Sequence, residues 1–148
     1  MQTTTVPPFM IIGLAIRTTN ANGQSATDIP QLWQQFMSQQ IAAQIPGKED
    51  QSLYCIYTDY EGDHTLPYTT VLGCKVTSLD HIPEGMVGKT FDGGDYTLVT
   101  AKGKIEDGIV FNTWLDIWAM EIPRAFTADF EVYDPEVKEE IPIFIAIK

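Results

Sequence analysis

Residues 130–133 (FEVY) place a carboxylate between a phenylalanine and a valine, with a tyrosine two positions on. Side chains alternate along a β-strand, so Glu131 and Tyr133 share one face and Phe130 and Val132 the other. Glutamate is rarely buried without a partner. Two readings stay open. In one, a desolvated Glu131 with a raised pKa anchors a cation or a hydrogen-bond donor brought by a ligand. In the other, Glu131 faces water from an edge strand or pairs with Arg124.

Aromatic residues set the second expectation. Nearly all six tyrosines, Tyr54, Tyr57, Tyr60, Tyr68, Tyr96 and Tyr133, fall in strand-like runs. A tyrosine combines a flat apolar face with a polar tip, and beside a carboxylate such rings favour lipophilic cations. Strands favour tyrosine in any case, so only a minority of these rings is expected to line a pocket. Trp33, Trp114 and Trp118 sit at helical spacing, which suits core packing as well as ligand contact. Trp114 and Trp118 are four residues apart and share a helix face.

Other chemistries find no footing. His64 and His81 do not stand at metal-ligand spacing with Cys or His, so no metal site is expected. Cys55 and Cys74 form no CxxC and read as buried, reduced thiols. There is no GxSxG, no P-loop and no second group placed to work with Glu131 as a base, so no catalytic residue and no cofactor is assigned. The net charge of −11, with nine basic residues among 148, argues against direct nucleic-acid binding. No signal peptide and no run near the ~20 apolar residues of a membrane span is evident, and a cytoplasmic location is expected.

The elements that must position these residues can be read in order. Residues 1–8 are polar, end in Pro7-Pro8, and read as a flexible leader. Residues 9–17 (FMIIGLAIR) read as a buried strand. A helix should start at Thr27 or Asp28, with Pro30 in its first turn, and carry an apolar stripe through Ile29, Leu32, Trp33, Phe36, Met37, Ile41 and Ile45 to Pro46-Gly47. Residues 53–60 and 68–78 should pair as a hairpin, with Gly73 marking a bulge. Residues 81–94 form a Gly/Pro-rich linker, with 86–91 read as a short edge strand. The order then repeats: a strand over 95–104, a helix over 108–122, a strand within 126–134 and a closing strand over 141–148. Trp33 and Trp114 occupy matching helices, and Tyr57/Tyr60 match Phe130/Tyr133 as aromatic pairs three apart. One half would expose too much apolar surface alone. Two halves, about 9–80 and 92–148, would close one α+β domain over residues 9–148 and leave a cleft at their junction.

The ordered set FMIIG (9–13), Ile29 with Leu32, Trp33 and Phe36, LYCIYTDYE (53–61), LGCKV (72–76), IPEGM (82–86), GDY (94–96), Lys102-Gly103, Trp114 to Trp118 and FEVY (130–133) resembles the GyrI-like effector-binding domains. These include the ligand-binding modules of AraC-type and MerR-type multidrug regulators. The resemblance spans residues 9–148. It implies a duplicated, SHS2-like fold: two βαββ halves about a pseudo-dyad, an antiparallel sheet, two main helices and a central cleft that takes amphipathic, often cationic compounds. It places Glu131 at the family's buried glutamate and Tyr133 at the adjacent tyrosine. Trp33, Tyr57, Tyr60, Tyr96, Trp114 and Trp118 are looser candidates for the aromatic lining. No helix-turn-helix segment is evident, so a regulatory role would need a separate partner protein. The expected function is stand-alone small-molecule binding. Hydrolysis of an electrophile by Glu131, or an acidic protein-interaction module, are the alternatives.

Overall fold

The computed structural model describes residues 2–148. Eight strands form one antiparallel sheet, and three helices lie on one of its faces. In chain order these are β1 (Gln2–Val6), β2 (Phe9–Thr18), α1 (Ser25–Ser38), α2 (Ile41–Gln44), β3 (Leu53–Thr58), β4 (Tyr68–Val76), β5 (Val87–Phe91), β6 (Gly94–Lys102), α3 (Ile109–Ala119), β7 (Ala128–Tyr133) and β8 (Glu140–Ala146). The spatial order β1-β6-β8-β7-β3-β4-β2-β5 reads the same in both halves from either end, with the division between β7 and β3. Among the described residues no helix is long and apolar enough to cross a membrane.

Residues 2–8 correct the reading of a flexible leader. Gln2–Val6 is an edge strand paired with β6, Gln2 opposite Leu98 and Val6 opposite Gly94. β5 takes the corresponding place on β2, Phe9 opposite Phe91. Each half is therefore ββαββ, and each lends its first strand to the other. β1 precedes β2 by two residues yet lies six strands away in the sheet. In a flat sheet that is about 29 Å, whereas three Cα steps reach at most about 11 Å. The sheet must therefore curl until its edges nearly meet. The links 7–8 and 92–93 meet there. Gly93, at φ 73°, lies where a Cβ would strike the Val6 carbonyl and Pro7.

Curling gives the sheet an inner face filled by side chains alone. Phe9, Ile11, Tyr54, Ile56, Val71, Phe91, Tyr96 and Phe130 form one apolar cluster there, with Val6 packed against it. On the outer face α1 packs Leu32 and Phe36 on Ile12, Leu14, Cys55 and Leu72, while α3 packs Trp114 and Ile117 on Ala101, Ile141, Ile143 and Ile145. Tyr57 and Tyr133 touch both outer clusters and lie between the helices.

Helix ends differ from the sequence-based reading. α1 begins at Ser25, so Asp28 lies in its first turn, where its carboxylate accepts from Thr18 (2.8 Å) and Gln24 (3.0 Å). Pro30 therefore falls inside the helix and removes the bond that an N–H there would give to the Ala26 carbonyl. The stripe continues past Ser38 only after Gln40, at φ 51°, breaks the helix; Ile41 then opens α2. α3 stops at Ala119 because Met120 is extended and Pro123 disfavours helix at the residue before it. Gly73 marks no bulge. It pairs in regular register with Gly13 on β2 and Tyr54 on β3, at a point where the strands leave no room for a Cβ.

Candidate ligand-binding site

Strand alternation puts Glu131 and Tyr133 on the outer face of β7, and register puts Cys55 of β3 directly opposite Glu131. Tyr57, two residues along β3, reaches the same carboxylate. Tyr57 Oη donates to Glu131 Oε2 at 2.7 Å and Tyr133 Oη to Oε1 at 2.5 Å. The indole Nε1 of Trp114, from α3, donates to Oε2 at 2.6 Å. Glu131 is 1% exposed. Loss of water raises its pKa above the usual carboxylate range, opposed by the three donors, which favour the ionised form. No lysine, arginine or histidine forms an ion pair with it among the described residues. The reading in which Glu131 faces water or pairs with Arg124 is excluded by this geometry: Arg124 pairs with Asp129 at 2.7 Å.

Above the carboxylate lies an open pocket of about 360 Å³ between α1 and α3. Glu131, Tyr133, Tyr57, Tyr60, Trp33, Trp114 and Trp118 all line it. Trp33 meets Tyr133 edge-on, with ring centroids 4.8 Å apart, and Tyr57 meets Trp114 in the same way at 5.4 Å. Burial and nearby carboxylates push the hydroxyls of Tyr57, Tyr60 and Tyr133 far above their ordinary pKa. These phenols therefore stay protonated and act as donors. The wall carries much more carbon than polar surface, the usual character of a site for a drug-sized molecule.

Tyr96 does not belong here. It is 2% exposed on the inner face, where it packs against Phe130 with centroids 5.4 Å apart. Its place on β6 was legible in the sequence, but which face it takes depends on a register that only the partner strands define. The sequence reading also missed residues that the structure brings in. His64, on the loop between β3 and β4, stacks on Trp118 (5.0 Å, 5°) over the pocket. Burial and the nearby Arg124 lower its pKa. Tyr68, Phe111 and Arg124 also line the wall. Tyr60 donates to Asp129 Oδ2 at 2.6 Å, which links the pocket to the Arg124–Asp129 pair. A stacked histidine in a loop and a salt bridge across the α3–β7 connection have no sequence periodicity to reveal them. Among the described residues no cluster of His, Cys, Asp or Glu could hold a metal ion, and both cysteines are free.

Comparison with known proteins gives a consistent result. The family model for Cass2, described as integron-associated effector binding protein, matches residues 3–147. A protein of Bacillus subtilis (strain 168) named as a transcriptional regulator, YobU, is 32% identical over 145 residues, covering 92% of this chain and 90% of its own. An integron cassette protein from the mobile metagenome of Vibrio cholerae has a crystal structure that superposes with a TM-score of 0.79 at 30% identity, covering 99% of this chain and 95% of its own. The structure of SAV2435 bound to tetraphenylphosphonium superposes with a TM-score of 0.78 at 13% identity, covering 99% and 93%, which shows a shared fold. With a curled antiparallel sheet, a pocket between two helices and a family match over nearly its whole length, this chain belongs to the integron-associated effector-binding proteins, which have the GyrI-like effector-binding fold.

Proposed function

We propose that this effector-binding protein takes lipophilic organic cations into the pocket between α1 and α3, with Glu131 as the charged anchor. One observation carries the reading: a fully buried carboxylate at an aromatic pocket is held by three hydrogen-bond donors and, among the described residues, by no protein cation. Hydrogen bonds orient the charge but leave it unneutralised, and an incoming cation supplies the missing partner. Rings at right angles around the site offer their negative faces to the same cation. The binding of tetraphenylphosphonium by a protein of the same fold is in keeping with this ligand class. A regulatory outcome of binding is in keeping with the name of the Bacillus relative, a transcriptional regulator.

The test is a titration of wild type and Glu131→Gln with tetraphenylphosphonium, followed by tryptophan fluorescence. All three tryptophans of the chain line the pocket, so occupancy should alter most of the emission. Loss of a charge-assisted contact of about 1.5–3 kcal/mol corresponds to about ten- to 150-fold weaker binding by the variant. Equal binding by both proteins, with the variant's melting curve still cooperative, would reject Glu131 as the anchor.

A further inference from the structure

The ion pair beside the pocket is saturated on one side only. Asp129 is fully buried, and both its oxygens are engaged. Oδ1 accepts from the Ala146 N–H at 2.8 Å, and Oδ2 accepts from Tyr60 (2.6 Å) and from Arg124 Nη2 (2.7 Å). Arg124 is different. A guanidinium carries five N–H donors, and among the described residues only Nη2 of this one meets an acceptor. Nε is buried with no partner at all. The side chain is 7% exposed and lines the pocket, whereas Asp129 does not, so a ligand meets the arginine end of the pair alone. Its central carbon stands 4.3 Å over the Phe126 ring and 5.9 Å from the Trp114 ring. Recognition of an acceptor falls to its N–H donors, which lie along the guanidinium edge.

We propose that Arg124 is a second polar pole of the pocket, one that recognises a hydrogen-bond-accepting oxygen group, a carboxylate above all, on the same ligand whose cation meets Glu131. The two poles are one indole apart. Trp114 gives its N–H to Glu131 at 2.6 Å and lies beside the Arg124 guanidinium. The preferred ligand is then an amphipathic aromatic zwitterion rather than a bare cation. A free organic anion is a poor fit, because the chain carries a net charge of −11 and the pocket holds the Glu131 carboxylate. The proposal rests on the cation-pocket reading above, and its test separates the two.

The experiment compares rhodamine 110, a zwitterion with a free carboxylate, with rhodamine 123, its cationic methyl ester, by fluorescence polarisation. Tetraphenylphosphonium serves as a cation with no acceptor. Long-range attraction to an acidic protein favours the ester, so a preference for the zwitterion reports the local arginine. Wild type should bind rhodamine 110 about tenfold more tightly than rhodamine 123. Arg124→Gln should abolish that preference by weakening rhodamine 110, whereas tetraphenylphosphonium, relieved of a like charge at the pocket wall, should bind no more weakly than to wild type. Because Arg124→Gln strands the buried Asp129, the double variant R124Q/D129N, which removes both charges together, is measured beside it and should behave alike toward the dyes. If wild type binds the ester as tightly as the zwitterion, or the variants lose rhodamine 110 and tetraphenylphosphonium in equal proportion, Arg124 is no acceptor site. If tetraphenylphosphonium binds and neither rhodamine does, the second pole fails alone. If wild type binds none of the three, both readings fall.

Discussion

Glu131 is held out of water by three donors and, among the described residues, no counter-ion, and that arrangement has a pH signature. Its carboxyl is raised above the ordinary 4.5, while His64, stacked over the pocket, is lowered below the ordinary 6.5. A bound cation favours the ionised carboxylate, so binding should expel the proton that apo Glu131 holds in this acidic window. Protonation of His64 adds a positive charge beside the pocket and disfavours a cation in the same range. Both effects weaken binding as pH falls, and two variants separate them. Calorimetric titration with tetraphenylphosphonium between about pH 4.5 and 6.5, repeated in buffers of different ionisation enthalpy, should show proton release in His64→Asn. Release should be absent in the double variant E131Q/H64N. Proton release that persists in that double variant would assign it to another group. The stability linkage has the same origin. A carboxyl with a raised folded-state pKa takes up its proton more readily when folded, so its desolvation cost is present above the folded pKa and relieved as pH falls through it. Wild type should thus gain stability relative to Glu131→Gln on acidification.

At the level of elements, the pocket depends on how β2, β3 and β4 approach one another beneath α1. Gly13 and Gly73 face each other across the β2–β4 pair, and a Cβ on Gly13 would collide with the Leu72 carbonyl and the Gly73 Cα. Backbone cannot yield as a flexible side chain does. Gly13→Ala should therefore lose about 1–3 kcal/mol or more in urea denaturation. An unchanged midpoint would mean that the strands separate freely at this point. The same strands show what a sequence reveals. Apolar runs and strand-favouring composition were enough for β2 to β8, a period of 3.6 for both main helices and a period of two for the shared face of Glu131 and Tyr133, because each is a local pattern. Symmetry was harder to read. Matching aromatic pairs sets Tyr57 against Phe130, but they lie on opposite faces of the sheet. The match that keeps faces sets Cys55 and Tyr57 against Glu131 and Tyr133, so the two tyrosines flank one carboxylate while the other half has a thiol in its place. The Arg124–Asp129 pair was illegible, since nothing local tells an arginine after Pro123 which of several nearby carboxylates it will meet.

In the whole molecule the two halves are joined by exchanged edges as well as by the central β3–β7 pairing. The run Gln2–Val6 holds three threonines, a composition that suits a loop as well as an edge strand, and its partner β6 lies about 90 residues along the chain. No local signal links them, which is why the segment read as a leader. Its energetic role follows from topology. β1 covers the open edge of β6, and Val6 packs against the inner apolar cluster. The short link from β1 to β2 is also one of the two connections that hold the sheet curled. Removing residues 2–6 should expose the hydrogen-bonding edge of β6 and loosen the curl, and the pocket is built on the outer face of that same sheet. The expected result is a melting temperature lower by more than about 5 °C, together with concentration-dependent self-association through the exposed edge, measured by light scattering. Thr3→Lys in an otherwise full-length chain controls for surface changes, since Thr3 is an exposed position of β1. If the truncated chain melts as wild type does and stays monomeric, β1 contributes nothing to closure. If it melts early but still binds tetraphenylphosphonium with unchanged affinity at low temperature, the curl stabilises the fold without shaping the pocket.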